Sequence, residues 1–67
     1  MQKRYAANRV EVDHHTLDQA IVEIENGRVV DCYTFSTEQA YTIWLGGTIT
    51  VRTENNGRHA FWHNRQL

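Results

Sequence analysis

Four histidines in 67 residues raise the question of a metal site. His14 and His15 are adjacent, and adjacent side chains of a β-strand leave opposite faces of the sheet. His59 and His63 are four residues apart, which in a strand separates them by about 13 Å, too far for both to bind one ion unaided. The spacing typical of zinc sites is missing. We therefore expect no cofactor and favour structural or surface histidines. A metal site that uses histidines brought together by tertiary contact is the least favoured of the alternative functions.

Nucleophilic catalysis would require an activated thiol or hydroxyl. Cys32, the one cysteine, is predicted in mid-strand opposite Ile21 instead of at a helix N-terminus, which is typical of an inert thiol. Asp31 is predicted on the apolar face of a hairpin, where a carboxylate needs hydrogen-bond partners or a shifted pKa. We favour a position at the sheet edge for Asp31. The sequence therefore predicts a non-enzymatic protein with no catalytic residue.

Aromatic and basic residues are concentrated near the end of the chain. Arginines combined with stacking aromatic rings are typical of small β-domains that bind single strands, so nucleic-acid binding is the alternative function. The net charge of −1 and the absence of a long basic block do not favour it. The competing interpretation puts Trp62 in the core. The residues of this alternative are Arg52, Arg58, His59, Phe61, Trp62 and Arg65.

Asn26-Gly27 is the strongest local signal, because a two-residue type I′ turn needs positive φ at both positions. The hairpin around it pairs Glu25 with Arg28. Continued at the same register, one face forms the core side and the other is more apolar than a surface that only meets water. The predicted core side holds Ala20, Val22, Ile24, Val29, Tyr33 and Phe35, and the other face holds Ile21, Val30 and Cys32.

A second hairpin is predicted between residues 48–54 and 58–64. With Asn56-Gly57 as the loop, Val51 lies opposite Trp62, and Arg52 lies opposite Phe61 in a cation–π contact. A three-residue loop would instead move Phe61 inward and Trp62 outward.

A short helix over residues 37–45 is predicted between the hairpins. Ser36 and Gln39 have the spacing of a capping box, Ala40, Ile43 and Trp44 recur at helical spacing, and Gly46-Gly47 supplies a left-handed stop. Residues from about 4 to 13 are predicted as a first strand. The expected fold is therefore α+β, a mainly antiparallel sheet of about five strands in the order β-β-β-α-β-β with one helix packed on it. A small closed β-barrel is the alternative.

Length and composition describe one small domain over residues 1–67. Seven Lys and Arg balance eight Asp and Glu. No run approaches the roughly 20 apolar residues of a membrane helix, and MQKR is not followed by an apolar signal core, so we expect a cytoplasmic protein without membrane partners. A core this small gains stability by oligomerisation. We therefore predict self-association, or binding to another protein, through Ile21, Val30, Cys32, Tyr41 and Phe61.

The segment TIWLGGTI at residues 42–49 resembles a motif of a group of short Bacteroidales proteins. These proteins share a RYAANRV-like start, a hairpin similar to IVEIENGRVVDCY and the WLGGTI-like segment. The resemblance covers most of the chain. It implies a small autonomous protein, and no activity or site residue is carried over from the group.

Overall fold

A computed structural model describes residues 2–37 and 39–67, which form strands and turns with no helix in those ranges. The strands belong to one sheet in the order β3-β2-β1-β5-β6-β7, and β4 pairs with β1 beside this path. The strand bounds are β1 (Gln2–Val12), β2 (His15–Glu25), β3 (Arg28–Thr34), β4 (Ile43–Trp44), β5 (Thr48–Glu54), β6 (Gly57–Trp62) and β7 (Arg65–Gln66).

The predicted helix over residues 37–45, and with it the α+β class, is wrong. Ile43–Trp44 form β4, whose two residues pair with Tyr5 and Ala6 of β1. The amide of Leu45 then donates to the carbonyl oxygen of Ala6 at 2.9 Å. Two helical turns are marginal in isolation, and the edge of β1 offers this segment inter-strand hydrogen bonds instead.

The predicted capping box is also wrong where the structure describes it. The side chain of Gln39 donates to the carbonyl oxygen of Thr37 at 3.1 Å. Glu38, the third residue of the predicted box, lies outside the described residues. Ala40 is exposed instead of packing on a sheet. Residues 39–42 therefore lead into β4 without helical structure.

The sheet is mixed, so the expectation of a mainly antiparallel sheet is also corrected. β4 and β5 both run parallel to β1. Tyr5 pairs with Ile43, 38 positions along the chain, whereas Arg9 pairs with Thr48, 39 positions along. One extra residue is therefore inserted between the two short pairings. Gly46 and Gly47, with φ of 75° and 66°, form this interruption and do not stop a helix.

The sheet curls without closing, so the alternative of a closed barrel is wrong as well. β3 and β6 lie far apart in the strand order but contact each other. No hydrogen-bonded pairing joins these two strands among the described residues. The curl therefore leaves an opening between β3 and β6 that a complete barrel would close.

The first hairpin turn is confirmed, since Asn26 and Gly27 have φ of 53° and 79° and Glu25 pairs with Arg28. The register shifts after the pairing of Ile24 with Val29. An extra residue in one strand turns every following side chain to the opposite face. Because of this bulge, the predicted pairings beyond Val29 are wrong by one residue.

Three assignments of side chains to faces change with the bulge. Cys32 pairs with Val22 and packs against the core, instead of lying opposite Ile21 on the second face. Asp31 pairs with Glu23 and is exposed, so it is not a buried carboxylate. Tyr33 leaves the predicted core side, and its hydroxyl donates to the carboxylate of Glu23.

The second hairpin is present, but its predicted register is wrong by two residues. Glu54 pairs with Gly57 and Val51 pairs with Ala60, so the loop is Asn55-Asn56. Gly57, with φ of 118°, is the first residue of β6 instead of the second residue of the loop. A shift of two keeps each side chain on its predicted face. The guanidinium carbon of Arg52 therefore still lies 4.8 Å from the ring centroid of Phe61.

The β1–β2 pair kinks at Asn8 and Gln19. Pairing is lost at these two positions but resumes in the same register, and Gln19 has a positive φ of 52°. Core residues are spaced by two along β2 from Ala20 to Ile24, whereas Leu17 precedes Ala20 by three. The kink therefore bends the sheet and keeps apolar side chains on its inner face along both halves of the pair.

The core lies on the inner face of the curled sheet. Its fully or nearly fully buried residues come from β1, β2, β5 and β6: Ala7, Val10, Ala20, Val22, Ile24, Ile49, Val51 and Ala60. On the outer face, Ala6 and Ile21 are also buried and border a small cavity of about 100 Å³ with Phe35 and Trp44. In residues 2–37 and 39–67 there is no helix that could cross a membrane.

Candidate functional site

The opening between β3 and β6 is a cleft of about 440 Å³, which we call the β3–β6 cleft. Its position follows from the curl of the sheet, which brings β6 towards β3, and from the β1–β2 turn at Asp13-His14. It is lined by Val12, Asp13, His15, Leu17, Val29, Val30, Asp31, Cys32 and Arg58.

The floor of the cleft is apolar. Val12, Leu17, Val29 and Cys32 line it and are partly buried against the hydrophobic core. Val12 and Leu17 come from β1 and β2, and the bulge in β3 turns Cys32 inward to join them. The floor is therefore a continuation of the core that remains open to solvent.

The rim of the cleft carries charge. Arg58 Nη2 lies 3.4 Å from Asp13 Oδ2, and the hydroxyl of Thr53 donates to Asp13 Oδ1 at 3.2 Å. The carboxylate of Asp31 accepts the backbone N–H of Cys32 at 2.8 Å. Asp31 has no ion pair with the residues that the structure describes. The rim thus combines one ion pair with one further carboxylate.

The Cys32 thiol is held in its protonated form. Burial raises its pKa above the ordinary value of 9.0, and the negative charge of Asp31 raises it further, while Arg58 acts in the opposite direction. A nucleophilic cysteine needs a lowered pKa, because the thiolate is the reactive species. The cleft therefore does not activate this thiol for catalysis at neutral pH.

A second surface feature is apolar and lies outside the cleft. Tyr41 is 97% exposed, Ile43 is 51% exposed and Trp44 is 56% exposed. We call these three side chains the 41–44 surface. Two of them belong to β4, which is placed by its parallel pairing with β1. Ile43 pairs with Tyr5, which packs against the core, whereas Trp44 pairs with Ala6 on the outer face, so these two side chains lie on opposite sides of β4. Three large apolar side chains exposed within four positions are still a concentration that indicates an interaction site.

Tyr41 also adopts an unusual backbone conformation. Its φ is 55°, in the left-handed region that bulky residues rarely enter. Asn or Gly would occupy such a position with less strain. The chain therefore presents an almost fully exposed aromatic ring from a backbone position that disfavours it.

The predicted interface residues are dispersed over the molecule. Ile21 is fully buried and Cys32 is partly buried in the floor of the cleft. Val30 is 54% exposed beside the cleft, and Tyr41 is in the 41–44 surface. Phe61 is half-buried under Arg52. Of the five, Val30 and Tyr41 present a large exposed surface.

The predicted nucleic-acid residues are divided between structural and exposed positions. Trp62 packs against the core, and its indole N–H donates to the carbonyl oxygen of Gly46 at 2.9 Å. Arg58 pairs with Asp13 at the cleft. Arg52 covers the ring of Phe61, which removes one aromatic face from base stacking. Arg65 is exposed on β7.

His59 is buried and contacts the β2–β3 turn, the β5–β6 loop and β7. It is 7% exposed. Its Nδ1 lies 3.0 Å from the carbonyl oxygen of Gly27, and its Nε2 lies 2.9 Å from Asn56 Oδ1. The side-chain amide of Gln66 lies 3.0 Å from Nδ1. These contacts give His59 a structural role where β6 meets the β2–β3 turn.

The other histidines do not assemble with carboxylates into a metal-binding group. Within residues 2–37 and 39–67, no three side chains of His, Cys, Asp or Glu are placed to hold one metal ion. His15 lines the β3–β6 cleft, and His63 makes an edge contact with the ring of Trp62 at 4.2 Å between centroids.

Sequence reasoning missed Ile43 and Trp44 as exposed residues, because a helical interpretation assigned both to the core. The dense run of aromatic and β-branched residues at 41–44 is also a strand signal, and it could have indicated β4. The pairing of Asp13 with Arg58 joins residues 45 positions apart and has no local signal.

Comparison of the chain with protein-family models, curated protein sequences and solved structures found no match. Its function therefore has to be argued from its own contacts, burial and charges.

Proposed function

We propose that the protein is a non-enzymatic association module that binds a second copy of itself through the 41–44 surface. The observation that carries the proposal is the exposure of Tyr41, Ile43 and Trp44 within four consecutive positions. Tryptophan and tyrosine are enriched among the residues that dominate binding energy in interfaces. The single cysteine fits a reducing compartment, so we place this association in the cytoplasm.

The conformation of Tyr41 supports the proposal. A non-glycine residue in the left-handed region costs about 1–2 kcal/mol, and such strain is concentrated at functional positions. A solvent-exposed tyrosine gains nothing within the monomer that offsets this cost. Burial of the ring in an interface would offset it, because full burial of a large apolar side chain contributes about 1.5–3 kcal/mol.

The available area supports a symmetric dimer. An aromatic side chain presents about 150–250 Å² when fully exposed, so the 41–44 surface contributes on the order of 400 Å². A stable interface buries about 800 Å² on each partner. In a two-fold dimer the same patch is used on both subunits, and neighbouring polar residues complete the rim. The exposed side chains of this segment therefore supply at most about half of the required area, and polar residues around them supply the rest.

The proposal is tested by light scattering on a size-exclusion column over a dilution series. Tyr41→Asn removes the exposed ring and installs a residue that tolerates positive φ, so the monomer keeps its fold. Val30→Thr is the control, because Val30 is also a large exposed apolar residue, at 54% exposure, but lies at the β3–β6 cleft. We expect a dimer for the unmodified chain and for Val30→Thr, and a monomer for Tyr41→Asn.

Two results would contradict the proposal. The first is a monomer for the unmodified chain at every concentration. The second is a dimer that persists in Tyr41→Asn. If that dimer also dissociates in Val30→Thr, the interface lies at the β3 edge instead.

A further inference from the structure

We propose that the β3–β6 cleft is a ligand site for a primary ammonium group carried on a short apolar chain. The site is separate from the 41–44 surface and does not depend on self-association. Three properties of the cleft define the ligand: its apolar floor, the charge balance of its rim and its volume.

The floor selects an apolar chain. The side chains of Val12, Leu17 and Val29 line the cleft and pack against the hydrophobic core. Water in contact with such a floor is released when an apolar group covers it, which favours binding. Ligand sites are concave and combine an apolar surface with polar groups that set orientation. Five of the nine residues that line this cleft are apolar, and the other four are polar or charged.

The rim selects a cation. Arg58 is compensated by Asp13 at 3.4 Å, and Asp13 is further bound by the hydroxyl of Thr53. The carboxylate of Asp31 accepts the backbone amide of Cys32 through Oδ1. No cation of the described chain is paired with it. The rim therefore has one carboxylate, that of Asp31, whose negative charge is not balanced by an ion pair with the described residues.

The volume limits the size of the ligand. The cleft measures about 440 Å³, near the lower end of the range of about 300–1,000 Å³ for small-molecule sites. We therefore choose a hexyl chain, with its ammonium group directed at Asp31, as the test ligand. The same chemistry is present in a free alkylamine and in a lysine side chain.

Cys32 provides a local reporter, because it is the one cysteine of the chain and lines the cleft. The experiment measures the rate at which iodoacetamide alkylates Cys32 while the ligand concentration is varied. A ligand present at about ten times its Kd leaves about a tenth of the sites free, so alkylation slows about tenfold. The probes are hexylamine, hexanoate, 1-hexanol and Nα-acetyl-lysine amide.

The variants separate the charge at Asp31 from other carboxylates. Asp31→Asn keeps an oxygen that accepts the Cys32 amide but removes the negative charge. Asp18→Asn is the matched control, because Asp18 is an exposed carboxylate outside the cleft. We expect hexylamine to protect Cys32 in the unmodified chain and in Asp18→Asn. Asp31→Asn should raise the Kd for hexylamine about tenfold, as expected for loss of a hydrogen bond to a charged group.

The outcomes decide between the ligand classes. Protection by hexylamine that exceeds protection by both hexanoate and 1-hexanol supports the proposal. Stronger protection by hexylamine than by Nα-acetyl-lysine amide then identifies a free amine, and the reverse order identifies a lysine side chain. Equal protection by hexanoate, absence of protection by any amine, or an unchanged Kd in Asp31→Asn would overturn it.

Discussion

His59→Phe tests whether one buried imidazole holds the two hairpins together. His59 lies in β6, yet its Nδ1 contacts the carbonyl oxygen of Gly27 in the turn between β2 and β3. Its Nε2 contacts the side chain of Asn56. Phenylalanine fills a similar volume but cannot donate to either oxygen. The change therefore removes polar contacts without opening a large cavity.

The expected magnitude follows from those two contacts. The carbonyl oxygen of Gly27 and Oδ1 of Asn56 both accept, and one ring N–H donates to one of them, so one hydrogen bond of about 1 kcal/mol is lost and the free energy of unfolding falls by about 1 kcal/mol. A chain of 67 residues has a total stability of about 3–10 kcal/mol at 0.05–0.15 kcal/mol per residue. In a domain of this size the loss lowers Tm by about 4–8 °C.

The assay is thermal and urea unfolding followed by circular dichroism, at matched protein concentration because association shifts apparent stability. His15→Phe is the control, since His15 is exposed and substitutions at such positions change stability by less than about 0.5 kcal/mol. If His59→Phe is as stable as His15→Phe, the contacts of His59 do not join the hairpins in the way described.

Three further predictions concern single groups. Gly46→Ala should destabilise the fold by about 1–2 kcal/mol in urea unfolding, because the φ of 75° disfavours a side chain. The Cβ of the new alanine would meet no atom closer than Trp44 Nε1 at 3.6 Å, so a larger loss would indicate a clash instead of backbone strain. Alkylation of Cys32 should be slower than that of a free thiol at pH 7, and its rate should keep rising with pH beyond 9.0, because burial raises the pKa of its thiol; a rate at pH 7 equal to that of a free thiol would contradict this. The hydrogen bond to Glu23 raises the pKa of Tyr33 above 10.0, so its contribution to stability is complete below pH 10 and is lost as the pH rises further. Tyr33→Phe should therefore lose less stability between pH 9 and pH 11 than the unmodified chain does, as measured by urea unfolding.

Turn residues were the part of the fold that local sequence could predict. Asn26-Gly27 provides positive φ at two successive positions, and the structure has the expected turn there. The same reasoning found the second hairpin but misplaced its loop, because Gly57 also suits the first position of β6. A turn signal thus indicates that a hairpin exists, whereas its register also depends on which residue carries the positive φ.

Non-local contacts explain what the sequence could not predict. The pairing of Arg9 with Thr48 depends on an encounter across 39 positions, and neither segment marks the other as a parallel partner. No glycine marks the bulge after Val29 in the sequence. The bulge places Asp31 and Cys32 each on the face opposite to the one predicted. The residues that line the cleft include these two together with Arg58 and Asp13. Local sequence patterns could therefore not predict the cleft.

The parallel pairing of β1 with β5 also has a consequence for how fast the chain folds. The strands β1, β2 and β3 are joined by two-residue turns, and β5 and β6 form a separate local hairpin. Each unit can form within microseconds, as hairpins do. Pairing β5 with β1 requires closure of a long loop, and the entropy cost of closure comes before the shared core contributes stabilising contacts. Such closure slows folding. The docking of the two hairpin units is therefore the rate-limiting step, and substitutions at Val10 or Ile49, which are buried where the units meet, will change the folding rate through that step.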